Sequence, residues 1–187
     1  MFLLPPRFVP RSGVPMFKSL ILCLLTLVLT GCAVVSKGPP GVPFEKGARW
    51  ALLPLANHTE TPQAGLRAEA ILEPLLRRHG VTQLIHAPRA EGDALFEAGD
   101  RKSLADARRW AGEQGARYAI TGAVDEWRYK VGVDGEPAVG LALQVIDLRS
   151  GAVVWSAVGG RSGWSREALS AVAQKLLGEL LDGLVVP

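Results

Sequence analysis

The chain has 187 residues, 48% apolar and 21% charged, which fits one globular domain with an extra segment and excludes a disordered chain or a multidomain enzyme. The formal net charge of +3 comes entirely from residues 1–31, where Arg7, Arg11 and Lys18 face no acid; the rest holds 18 basic and 18 acidic residues. A nucleic-acid binder needs a basic surplus to release counterions, and this neutral remainder has none, so no nucleic-acid partner is expected.

Residues 20–29 form one apolar run, Leu-Ile-Leu-Cys-Leu-Leu-Thr-Leu-Val-Leu, behind Lys18. A bilayer span needs about 20 such residues, so this run fits the core of a signal peptide with a short basic front. Leu29-Thr30-Gly31-Cys32 resembles a bacterial lipobox. That resemblance implies cleavage of residues 1–31 and acylation of Cys32, and Met16-Phe17-Lys18 makes Met16 the expected initiator. Cys23 and Cys32 both belong to this region, so neither can staple the core. More than one acyl chain gives durable membrane attachment. Ala33-Val34, with no aspartate, resembles the sorting pattern of outer-membrane lipoproteins. Residues 32–47, with Gly38-Pro39-Pro40-Gly41 inside, read as a lipidated cysteine and a stiff tether, and residues 48–187 as a globular domain facing the periplasm.

Along that domain, residues 49–55 make a continuous apolar strand, with Pro54 marking its end or an edge position. Thr61-Pro62 supplies a helix N-cap and first-turn proline. Ala68, Ile71, Leu72, Leu75 and Leu76 follow at helical spacing, with Glu73 and Arg77 paired outside, a kink expected at Pro74 and Gly80 closing the helix. A short strand over 81–85 precedes a polar connection, 87–102. Ser103 and Asp106 form a capping pattern for a second helix. Residues 117–131 read as a long strand with Trp127, Tyr129 and Val131 on one face. A turn over 133–137 leads to a strand carrying Val139, Leu141, Leu143 and Val145 on one face. Residues 147–151 turn tightly into a strand over 152–158, and residues 159–164 read as a loose glycine-rich loop. Ser165 caps a last helix whose leucines recur at three and four residues from Leu169 to Leu184, a wide core-facing stripe. The order β-α-β-α-β-β-β-α predicts an α/β (α+β) fold, a mixed sheet flanked by helices.

No catalytic constellation assembles. His58, His79 and His86 lack metal-ligand spacing, no Gly-x-Ser-x-Gly elbow is present, and residues 159–163 lack the lysine of a phosphate loop. Glu126 has no evident second carboxylate to act with. A non-enzymatic protein without metal or cofactor is the expectation.

Leu53-Pro54-Leu55-Ala56-Asn57-His58-Thr59 is similar to the segment after the first strand in domains resembling the N-terminal domain of TolB, a group that includes CsgG and LpoB. Gly115-Ala116-Arg117-Tyr118-Ala119-Ile120-Thr121-Gly122, then Glu126-Trp127-Arg128-Tyr129, then residues 132–137 and 159–165 resemble the PelC family. The resemblance implies an outer-membrane lipoprotein forming a homo-oligomeric ring under the exporter PelB, with an acidic funnel for a cationic, partly deacetylated polysaccharide, Pel. Leu55 departs from the phenylalanine common in the wider group. Because the domain is neutral, such a funnel requires segregated charge. Asp134 and Glu136, with Asp125 and Glu126, are the acidic candidates, or else a solvated turn. Trp164 is a candidate anchor at the lipid interface, or else a core tryptophan under the last helix; Trp127 and Trp155 read as core. Arg117 and Arg128 pair with acids across a subunit contact or within the sheet. Alternatives are an LpoB-like activator of a peptidoglycan synthase, disfavoured by the short tether, a CsgG-like secretion component, and an enzyme acting on the polymer.

Overall fold

The computed structural model describes residues 33–37, 43–88, 101–132 and 135–187. The expected signal peptide, Cys32, residues 38–42, most of the polar connection and Asp134 lie outside the described residues.

The strands are β1 (Ala33–Lys37), β2 (Arg49–Asn57), β3 (Gln83–His86), β4 (Tyr118–Tyr129), β5 (Pro137–Asp147) and β6 (Val153–Ser162). The helices are α1 (Ala64–Arg78), α2 (Arg101–Glu113) and α3 (Leu169–Leu181). One six-stranded sheet runs β1-β6-β5-β4-β2-β3. β2 lies parallel to β3 and β4, and the remaining pairs are antiparallel. The mixed sheet with flanking helices follows the expected order, with one strand added in front. That added strand lies within the segment read as tether: Ala33–Lys37 pairs along β6 from Ala33↔Arg161 to Lys37↔Ala157.

The helical stripes set the layers. α1 and α3 cover one face, packing Leu72, Leu76, Leu176, Leu177, Leu180 and Leu181 on Leu52, Ile120, Leu141, Leu143 and Val145. α2 packs Leu104, Ala107, Trp110 and Ala111 on the opposite face, against Ala51, Leu53 and Ala119. Trp127 and Trp155 are core, as expected. Glu73 and Arg77 pair at 2.9 Å. Gly80, at φ 98°, donates to the Arg77 carbonyl and closes α1, which runs unbroken through Pro74.

Several local expectations are corrected. Pro54 does not end β2: it lies past the last pair with β3, Leu52↔His86, so that side is an edge there as the alternative reading has it, and against β4 it falls where β2 slips register between Leu52 and Leu55. The slip is patched by side chains: Thr121 Oγ1 donates to the Pro54 carbonyl (2.8 Å), and Leu55 N–H donates to Glu69 Oε1 (2.8 Å). Thr61 does not cap α1, which begins at Ala64 behind a left-handed Gln63; its hydroxyl donates to the Trp127 carbonyl (2.5 Å). Ser103 lies inside α2, and the N-cap of α3 is Ala168, not Ser165. The loose loop is instead strand to Ser162. Its glycines permit close approach: a Cβ on Gly159 would lie 2.8 Å from the Val34 carbonyl of β1 and 3.1 Å from Leu176 of α3.

Candidate functional site

The pairing directions bring four strand termini to one end of the sheet: the start of β1, the end of β6, the start of β5 and the end of β4. Ala33 faces Arg161, Ala138 faces Ser162 and Pro137 faces Tyr129. The described chain therefore begins one residue after Cys32, beside a strand that leads within three residues to Trp164.

Trp164 is 57% exposed, Tyr129 51% and Val131 fully exposed. Gly163 N–H donates to the Pro137 carbonyl (2.8 Å), and a Cβ there would lie 2.5 Å from Val172, so the chain is pressed against the start of β5 and α3 just before Trp164. Trp164 N–H donates to the Glu167 carboxylate (3.1 Å), which Lys175 also reaches at 2.5 Å. Lys175, then the Trp164 N–H, hold that carboxyl below its ordinary range against the opposing effect of burial. Tyr129 Oη accepts from Leu169 N–H (3.2 Å). The indole thus stands on a braced backbone with its ring largely in solvent.

The described acidic candidates lie toward the same end, each facing a basic side chain of its own chain. Asp125 occupies the β4 irregularity between Val124 and Glu126, and its carboxylate lies 2.8 Å from His58 Nδ1. Glu126 meets Arg128 at 3.0 Å, and Glu136 meets Lys130 at 3.8 Å. The loop after β2 adds Glu60, which sequence reasoning missed. Asn57 Oδ1 accepts from Thr59 N–H and Oγ1, Asn57 Nδ2 donates to the Thr61 carbonyl, and Thr61 ties the loop to Trp127. The Asn57-x-Thr59 signal was visible, but its consequence, an exposed Glu60 held on a loop tied to β4, needed the fold.

Arg117 lies at the opposite end of the sheet. It pairs with Asp147 and with Glu45 (2.9 Å), over the Tyr118 ring at 4.7 Å. Tyr118, Phe44 and Trp50 cluster with ring centroids 4.9–5.1 Å apart. The Arg117 guanidinium, then the Ser150 and Arg149 N–H groups, lower the Asp147 carboxyl to about 2 against the opposing effect of burial, and the Arg117 pKa is raised in turn. The guanidinium is thus committed within the chain, clamping the segment that leads into β2. Arg128 is exposed.

A cleft of about 290 Å³ between α1 and β3 holds Glu73 3.3 Å from His86. Arg77 first, and His86 after it, hold the Glu73 carboxyl below its ordinary value. Among the described residues no three His, Cys, Asp or Glu side chains group as metal ligands, and no helix is long and apolar enough to cross a membrane.

No protein-family model matches the sequence, and no curated protein matches it. Among solved structures, the chain is similar to the PelC dodecamer of Paraburkholderia phytofirmans in two crystal forms, one of a point variant. Identity is 42% in both, covering 83% of this chain and 100% and 99% of those chains, with TM-scores of 0.71 and 0.70. A lipoprotein of Neisseria meningitidis shares the fold at 17% identity, over 72% of this chain and 96% of that one, with a TM-score of 0.53.

Proposed function

The chain belongs to the PelC family, and from that membership we propose that it is a non-enzymatic outer-membrane lipoprotein whose copies close into a ring and steer a cationic exopolysaccharide, Pel, to the export channel PelB. The observation that carries this reading is the similarity, over 83% of this chain, to dodecamers at 42% identity. Two features of the chain support it.

The first is orientation. With Ala33 paired to Arg161, an acylated Cys32 sits one residue, about 3.8 Å, from the sheet end that displays Trp164, Tyr129 and Val131. Lipid on the cysteine brings that end to the bilayer, where an indole places its apolar ring among headgroups and keeps its N–H solvated. β1 also takes up part of the short tether, which disfavours an activator reaching across the periplasm.

The second is charge placement. Asp125, Glu126 and Glu136 outnumber Arg128 and Lys130 by one, and Asp134 and Glu60 add to the excess. One subunit attracts a polycation weakly, because each described pair is half exposed and screened. A ring repeats the excess around one axis, and low-dielectric walls focus the field.

Native mass measurement of the detergent-extracted full-length protein tests the reading: a closed oligomer is expected, and a strict monomer at high concentration overturns it. Asp125→Lys with Glu126→Lys is expected to abolish polymer export with the oligomer intact. Unchanged export removes the funnel role from these residues.

A further inference from the structure

Among the described residues, helices roof one face of the sheet across its width. On the other, α2 covers β2 and the start of β4, and beyond it no described residue covers the face. There Ala56, Ala123, Ala142 and Val158 stand side by side in register across β2, β4, β5 and β6. They floor a groove of about 540 Å³, bordered by His58, Gln144 and Ser156. Val158 is 49% exposed in mid-strand. Val34, paired to Gly160 on the same face, is 74% exposed.

We propose that this open half-face is the surface on which a second copy of this chain docks; the proposal rests on the ring reading. A sheet face left to solvent carries polar side chains at alternate positions. Here those positions hold alanines and valine, much like the alanine floor beneath α2, where Ala51 and Ala119 are buried. The exposed apolar groups Trp164, Tyr129 and Val131 lie at the lipid end, which leaves this face for protein. The dodecameric relative is covered over 100% of its length, so its self-association surface lies within the shared domain. A ring contact is heterologous, joining this face to a different surface of the neighbour. Strands about 4.8 Å apart, with same-face residues about 6.6 Å apart along each, give this row of four a floor of roughly 130 Å². That area forms the dry centre of a standard contact of about 800 Å² per partner, with His58, Gln144 and Ser156 in its polar margin.

The test uses full-length protein in detergent, with the native mass of the unmutated chain measured first. Ser156→Cys, in the groove, is compared with Ser150→Cys, on the exposed β5–β6 turn, for reaction with a maleimide. In the oligomer the Ser156→Cys thiol is expected to react roughly tenfold or more slower, as expected where a contact excludes water. Val158→Asp is expected to run as a folded monomer with unchanged circular dichroism. Equal labelling rates in a proven oligomer, or wild-type assembly of Val158→Asp, overturn the proposal and leave the ring reading standing. Protection that appears only on adding polymer assigns the face to polymer and also overturns it. A monomeric unmutated chain overturns the ring reading itself, and this proposal with it.

Discussion

Asp147→Asn probes the clamp at the sheet end opposite Trp164. The Asp147 side chain is 14% exposed and that of Arg117 16%. Its Oδ1 also accepts from the Arg149 and Ser150 N–H groups at 2.8 and 3.2 Å. The carboxyl lies at about 2 against an ordinary 3.8, a difference worth roughly 2 kcal/mol by linkage. Glu45 still holds Arg117 in the variant, so a loss of about 1.5–2 kcal/mol is expected at pH 7. A carboxylate depressed by folding stabilises the protein fully above its unfolded pKa and loses that contribution as pH falls to the folded one. The gap between wild type and variant is therefore constant from pH 5 to pH 7 and closes between about pH 4 and pH 2. Thermal unfolding followed by circular dichroism, at one protein concentration, should show a Tm about 3–8 °C lower at pH 7. An equal gap at pH 2 and pH 7, or none at pH 7, refutes the assignment of the stabilisation to this ion pair.

Two further perturbations test other links. Gly159→Ala places a Cβ 2.8 Å from the Val34 carbonyl and should cost about 1–3 kcal/mol, whereas Gly160→Ala, whose Cβ meets nothing nearer than 3.8 Å, should be near neutral; parallel thermal melts compare them. Trp164→Ala removes an indole that is 57% exposed, worth up to about 3 kcal/mol of interfacial burial. Vesicle flotation of protein lacking the lipid should therefore fall markedly, and unchanged flotation removes Trp164 from the membrane surface.

The sequence was most legible where periodicity was strong and burial one-sided. The α3 leucines and the Val139–Val145 alternation named their faces because one face of each is fully covered. Legibility failed where tertiary partners overrode local signals. Pro54 reads as a strand end or an edge position; β2 continues through it past the last β3 pair, Leu52↔His86, over a register slip patched by Thr121 and Glu69. Residues 159–162 read as loop because glycine is a poor strand former, but here glycine admits β1 and Leu176. Thr61 reads as a cap until Trp127, 66 residues away, supplies its acceptor. At the candidate site, Trp164 reads as an exposed anchor or a core residue and is 57% exposed, while β1, which starts at the same sheet end, is a strand that no periodicity announces. Arg117 left two pairings open because Glu45 and Asp147 lie 72 and 30 residues away.

The pairing of acids within the chain bears on where steering can arise. Glu126 and Glu136 lie within 4 Å of Arg128 and Lys130, and the Asp125 carboxylate lies 2.8 Å from His58 Nδ1, so a free subunit presents short dipoles and a small residual charge. Dipoles fall off faster with distance than charges, and salt screens them within about 8 Å at physiological ionic strength. A polymer passing one subunit would feel little. In a ring every subunit makes the same contribution to the potential on the axis, so small residual terms add there, and under the proposed function attraction is a property of the closed assembly. Under the proposed function the neutral composition of the domain is no obstacle to guiding a polycation, because what counts is where the acids are placed and not their total.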